Sequence, residues 1–164
     1  MSKINSDILF MDTKIFGSNL QALREDKNLR YEAFGELIQY DRNTLSCLEG
    51  GFQNIQFQTA VRIAKNLDKD LAMLFSRSFR DDEKRCQSKK YSDIDYLAIF
   101  RANAIKRLTT NQMNVTDISE EHRETVSRIL NGHITNPRIG TLSLIAHGLD
   151  TSLCALLTPP IKKE

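Results

Sequence analysis

The sequence predicts an all-α protein made of two tandem units of five short helices, and three observations predict it. Apolar residues recur at helical spacing along almost the whole chain. The pattern of the first half returns in the second. Between them lies a stretch, SRSFRDDEKRCQSKKYSDID, that is nearly all polar and has no apolar period, so it need not pack against anything.

The elements follow in order. Phe16, Leu20 and Leu23 space a first helix ending near Asp26, and Phe34 and Ile38 a second. Leu45 and Leu48 mark a third, opened by Asp41, whose carboxylate can accept from the free amides of the first turn. Gly50-Gly51 stops that helix, because glycine accepts the left-handed conformation that a helix end often needs. Phe57, Ala60, Val61, Ala64 and Leu67 build a fourth helix, and Leu71, Leu74 and Phe75 a short fifth. The second copy repeats this with Leu97, Phe100, Ala104 and Leu108, then Val115 and Ile118, then Val126, Ile129 and Leu130, then Leu142, Ile145 and Leu149, then Leu153, Leu156 and Leu157. Pro159-Pro160 ends the helical region.

The repeat can be read residue by residue. Arg42, Thr44, Ser46 and Gly51 return as Arg123, Thr125, Ser127 and Gly132 at a spacing of 81 (123 − 42). Asn54, Thr59, Ile63, Ala64, Leu67, Asp68, Leu71 and Leu74 return as Asn136, Thr141, Ile145, Ala146, Leu149, Asp150, Leu153 and Leu156 at a spacing of 82 (136 − 54). One residue is therefore inserted in the second copy, within His133-Ile134-Thr135. The units are placed at 14–79 and 94–160, with 80–93 as a charged linker, and the linker's polarity predicts two cores that fold separately.

Composition narrows the function classes. The chain has 164 residues, 40% of them hydrophobic and 27% charged, and a net charge of +2, which permits a polyanionic partner without demanding one. The start, MSKINSDILF, lacks the pattern of a signal peptide, and no run of 18 apolar residues exists to span a membrane, so a cytoplasmic location is expected. Cys47, Cys86 and Cys154 are odd in number and far apart, which fits reduced thiols. His122, His133 and His147 have no metal-ligand spacing with them, and neither a glycine-rich phosphate loop nor a nucleophile elbow is present. No enzyme activity, cofactor or metal is expected.

Leu23-Arg24-Glu25-Asp26-Lys27-Asn28-Leu29, followed by Glu32, Phe34, Arg42, Thr44-Leu45-Ser46, Leu48-Glu49, Gly51 and Ile63-Ala64, resembles the Cro/repressor-like (XRE) helix-turn-helix family, without a gap from about Phe16 to Phe75. Thr125-Val126-Ser127-Arg128-Ile129-Leu130-Asn131-Gly132, then Asn136-Pro137 and Leu142 through Leu157, resembles the same family a second time. The resemblance implies two lambda-repressor-like helix-turn-helix domains. In that family the second and third helices bind DNA and the third lies in the major groove. It implies a sequence-specific transcription regulator, of a phage, a restriction-modification system or another mobile element. Double-stranded DNA is then the partner. A homodimer is left open, and neither a membrane nor a small-molecule ligand is indicated.

With Leu45 and Leu48 facing the core, Arg42, Asn43, Thr44, Ser46 and Cys47 become the candidate base readers of the first copy. With Val126, Ile129 and Leu130 anchoring the second, Arg123, Glu124, Thr125, Ser127 and Arg128 take that role. Arginine and asparagine suit bidentate bonds to guanine and adenine, and glutamate can accept from cytosine. By resemblance, Gln112 is the glutamine that opens the second helix and grips the DNA backbone, and Asn54 and Asn136 are the loop asparagines before the fourth helix. His133 and Arg138 add further contacts. The sequence departs from the family at Tyr31, where glutamine is usual and a phenol can still donate to a phosphate, at Gly35 in place of alanine, and at Gln39 in place of the turn glycine. In the second copy Glu120-Glu121 occupies the turn, and Val115 to Ile118 is one residue short. Two rival readings stand beside this one: an antitoxin-like protein that binds a protein partner with one domain and DNA with the other, and an interaction module that has kept the fold and lost DNA binding.

Overall fold

A computed structural model describes residues 3–79 and 94–160, with side chains from Asp7 onward in the first stretch. The linker expected at 80–93, with Cys86 in it, lies outside the described residues, as do residues 161–164. Among the described residues there are ten helices and no strand. The first half holds α1 (Lys3–Asp26), α2 (Tyr31–Ile38), α3 (Arg42–Gly50), α4 (Phe57–Asn66) and α5 (Leu71–Leu74). The second holds α6 (Tyr96–Thr110), α7 (Val115–Ile118), α8 (Arg123–Leu130), α9 (Ile139–Gly148) and α10 (Leu153–Leu157).

Local chemistry sets the ends. Asp41, Asp70, Asp95 and Ser152 each accept a first-turn amide, at α3, α5, α6 and α10. Left-handed residues close the helices that need a sharp exit. Gly51 does so after α3 (φ 73°), where an added Cβ would lie 2.6 Å from the Lys14 Cα. Gln39 takes the same conformation after α2 (φ 61°) although it is not glycine.

The two cores are not separate. The buried apolar side chains of both halves form one cluster, with α1 lying along α9 and α5 against α10. A polar linker reveals only that the linker itself need not be buried; the surfaces that join the halves are on the helices. Part of the junction comes from turns of α1 that the expected boundary at residue 14 leaves out. That helix begins at Lys3, and Leu9 on its early turns reaches Gly140, where an added Cβ would sit 3.0 Å from the Leu9 Cδ2.

A tertiary clamp is repeated in both halves. The Asn19 amide donates to the carbonyls of Leu74 (2.8 Å) and Ser76 (2.9 Å), and the Asn103 amide to those of Leu156 and Thr158, both at 2.9 Å. Each asparagine satisfies carbonyls left open where the last helix of its own half ends. The pair stands at a spacing of 84 (103 − 19), against 81 on the third helices. The second copy is thus three residues shorter between these points, and the loss falls on the second helix, which has eight residues as α2 and four as α7. The shortened helix lies against α9 at Gly148, where an added Cβ would come within 2.7 Å of the Ile118 carbonyl oxygen.

Elsewhere the halves solve one packing problem in two ways. At Gly17 the backbones of α1 and α3 nearly touch, an added Cβ meeting the Leu48 carbonyl oxygen at 2.2 Å. The equivalent Arg101 instead reaches across to the carbonyls of Ile129 (2.9 Å) and Ile134 (3.1 Å). Arg24 and Glu49 form a two-pronged ion pair at 2.7 and 3.2 Å, with side chains only 13% and 4% exposed. The hydrogen bond to Glu49 holds the Arg24 guanidinium above its ordinary pKa. At the two equivalent positions the second half has buried leucines, Leu108 and Leu130.

Asp12 is buried at 3% exposure on α1, and its Oδ2 has no hydrogen-bond partner among the described residues. Desolvation raises its pKa above the ordinary 3.8, opposed by the Ser143 hydroxyl and the Arg77 charge.

Two predictions follow from these polar groups. Arg24→Leu and Glu49→Leu should each cost ~3 kcal/mol, because either leaves a buried charge unpaired. The double variant, which copies Leu108 and Leu130, should recover much of that in urea denaturation, and simple additivity of the two losses would refute the idea. For Asp12 the folded state binds the proton more tightly than the unfolded chain, so its contribution to stability is present at low pH and declines as pH rises from 3.8 through the raised value. The stability of Asp12→Asn relative to the wild type should therefore climb as pH rises from 3.8 through the raised value, and a pH-independent difference would contradict this.

Candidate nucleic-acid interface

On α3, Leu45, Leu48 and Glu49 are buried, while Arg42, Asn43, Ser46 and Cys47 are exposed. These four fall at i, i+1, i+4 and i+5, which a helix gathers on one face. Thr44 differs from them. Its amide donates to Asp41 Oδ1 at 2.9 Å and its hydroxyl to Oδ2 at 2.8 Å, so its side chain closes the helix start. The bonds from Thr44 hold the Asp41 carboxyl below the usual carboxylate range.

Arg42 is placed by α2. Its guanidinium lies 3.3 Å from the Glu32 carboxylate, with both side chains mostly exposed, and 6.0 Å from the centre of the Tyr31 ring. Tyr31 is the first residue of α2 and half-buried, with the Arg24 guanidinium 4.2 Å from its ring centre. The buried Arg24–Glu49 pair thus links α1 to α3 and also supports the ring beside Arg42.

The turn between α2 and α3 depends on Gly35. The Tyr40 amide donates to the Gly35 carbonyl at 2.8 Å, and an added Cβ at Gly35 would lie 2.3 Å from the Tyr40 carbonyl oxygen. No larger residue fits without moving the turn, a physical reason for glycine at this position.

On α8, Val126, Ile129 and Leu130 are buried, and Arg123, Glu124, Thr125 and Arg128 are exposed. Ser127 is half-buried, and its hydroxyl accepts from the Asn131 amide at 3.3 Å. Arg123, Glu124, Ser127 and Arg128 correspond, at the spacing of 81, to Arg42, Asn43, Ser46 and Cys47. The first face carries one cation. Two cations and one acid occupy the second. This helix starts without a side-chain cap from His122, whose amide donates to the Ser119 hydroxyl at 3.2 Å. His133 is exposed in the loop that leaves α8, just after the left-handed Gly132 (φ 81°).

Gln112 is not where the resemblance puts it. It is an exposed, left-handed residue (φ 53°) in the turn after α6, the counterpart of Asn28 (φ 56°), and the next helix opens at Val115 with Asn114 before it. Gln112 follows Tyr31 at the spacing of 81 that holds on the third helices, but the second copy is three residues shorter before that point, so the equivalent of Tyr31 at the spacing of 84 is Val115.

Asn54 and Asn136 have partners across the molecule. Asn54 Oδ1 accepts from the Gly140 amide at 2.8 Å, and Asn136 Oδ1 from the Gln58 amide at 2.9 Å. Between them, Phe57 N donates to the Pro137 carbonyl (2.7 Å) and Ile139 N to that of Ile55 (2.8 Å), and Gln56 pairs with Arg138 as an antiparallel bridge. The Arg138 guanidinium donates to the Asn54 carbonyl at 2.9 Å. Each half therefore caps the fourth helix of the other. These contacts, and the Asn19 and Asn103 clamps, were missed in the sequence, although asparagines recurring at fixed spacing were their visible trace.

Among the described residues no group of histidine, cysteine, aspartate and glutamate could hold a metal ion, and no helix is long and apolar enough to cross a membrane. Comparison with known proteins found no matching family model, no matching curated protein and no matching solved structure.

Proposed function

We propose that the protein is a sequence-specific DNA-binding transcription regulator, in which α2–α3 and α7–α8 serve as helix-turn-helix units and α3 and α8 enter the major groove. One observation carries this reading. Two short helices at equivalent places in the repeat present the same kind of face, Arg42, Asn43, Ser46 and Cys47 on one and Arg123, Glu124, Ser127 and Arg128 on the other, above a buried apolar base. A solvated surface has no need to repeat its pattern of polar residues, whereas groove readers need side chains that form directed bonds to base edges.

The chemistry of the face supports the same reading. Arg42 reaches a carboxylate already, so a guanine edge or a phosphate would compete with Glu32 for an exposed guanidinium. Tyr31 at the start of α2, and His133 in the loop after α8, supply further donors in regions where this family grips the backbone. α3 is the stronger unit, because α2 has two full turns and a capped partner helix, while α7 has a single turn. Asn54 and Asn136 are better understood as caps than as phosphate contacts, since their carbonyl oxygens face amides of the opposite half.

Electrophoretic mobility shift on genomic fragments tests the proposal. Affinity should fall steeply as salt rises, by about one logarithmic unit of slope per phosphate neutralised. Arg42→Ala should weaken specific binding by about 1–3 kcal/mol with the helical circular dichroism unchanged, and Arg123→Ala should do so to a similar or smaller extent. Binding that ignores salt, or that tolerates both substitutions, would defeat the reading. Glu124→Asn should bring the base preference of α8 toward that of α3, and an unchanged footprint would show that residue 124 faces no base.

A further inference from the structure

Two copies of a domain on one chain can be related by translation or by rotation, and the contacts between them tell which. In a translational arrangement residue i of one copy meets residue j of the other without the converse; about a two-fold axis both contacts occur. Here they occur in pairs. Gln58 N to Asn136 Oδ1 is answered by Gly140 N to Asn54 Oδ1, and Phe57 N to Pro137 O by Ile139 N to Ile55 O, each the other's image at the spacing of 82. Gln56 and Arg138, which are equivalent to one another, form the central bridge. A second self-equivalent contact lies elsewhere, where α5 packs on its own counterpart α10. The reciprocal loop contacts are those of a local two-fold relation, and the contact of α5 with α10 is compatible with it. Among the described residues the symmetry is incomplete, because α1 starts at Lys3 whereas α6 starts at Tyr96, the equivalent of Asp12 at the spacing of 84.

We infer that one chain does the work of a two-fold dimer: a single molecule occupies a complete operator, whose half-sites are inverted relative to one another and held at fixed separation. This rests on the DNA-binding reading above. The paired segments immediately follow α3 and α8, so the axis that relates the loops also relates the two exposed faces. Because Asn43 and Cys47 stand opposite Glu124 and Arg128, the half-sites differ in bases although they match in orientation about the axis. The separation is set by hydrogen-bonded backbone and a continuous apolar core.

The test selects binding sites for the full chain from a random-sequence duplex library and weighs the complex by native mass spectrometry. Expected are an inverted pair of unlike half-sites and one chain per duplex. Inserting five base pairs between the half-sites, which turns one onto the opposite face of the helix, should reduce affinity at least tenfold. A direct repeat, two chains per duplex, or tolerance of the insertion would each overturn the inference while leaving DNA binding intact. A library with no enriched sequence would instead remove the reading on which it rests.

Discussion

The amide groups at the start of a helix must find acceptors, and for α4 and α9 those acceptors belong to the other half of the molecule. Neither Gln56 nor Arg138, the residues that precede these helices, supplies a side-chain cap. Asn136 and Asn54 do so instead, each from across the junction. An asparagine cap contributes about 1 kcal/mol, so the pair does not alone join the halves, but it fixes their register to one residue. The apolar contacts of α1 with α9 and of α5 with α10 then bury the surface that the register brings together.

Around that junction the two copies have diverged where packing allows substitution. An ion pair in one half occupies the positions of two leucines in the other, in line with the small net difference between a well-made buried pair and apolar residues of similar volume. Gly17 lets two helices meet backbone to backbone, and Arg101 fills the wider gap at the same place while bonding the carbonyls there. The third helix keeps its place by either route. Its outer face, under no such packing constraint, differs between the copies at Asn43 against Glu124 and at Cys47 against Arg128.

The short α7 illustrates how a deletion is absorbed. Removing three residues from a helix-and-turn segment would leave α8 misplaced if α7 kept its length. A single turn remains, tied at its start by the Asp117 carboxylate, which accepts from the Asn114 amide at 2.7 Å. Gly148 admits the Ile118 backbone, so the shortened element still covers the core. The cost falls on the approach to α8, whose start has lost the aspartate cap that α3 possesses.

The sequence by itself determined the local structure. Helical spacing of apolar residues marked the two sets of five helices, Asp41 and Gly51 marked the ends of α3, and the alternation of buried and exposed positions identified the faces of α3 and α8. These features depend on residues within a turn or two of one another, where one-dimensional spacing is enough. The extent of α1, the register of α7 and the position of Gln112 were not legible, because a three-residue deletion looks like a shift of alignment until the backbone is closed. Nor could the roles of Asn54 and Asn136 be read, since an asparagine before a helix can cap any start that comes within reach. Only the tertiary structure decided that each caps the other's helix, because that depends on how two surfaces 82 residues apart meet in space, and a polar linker places no constraint on that meeting.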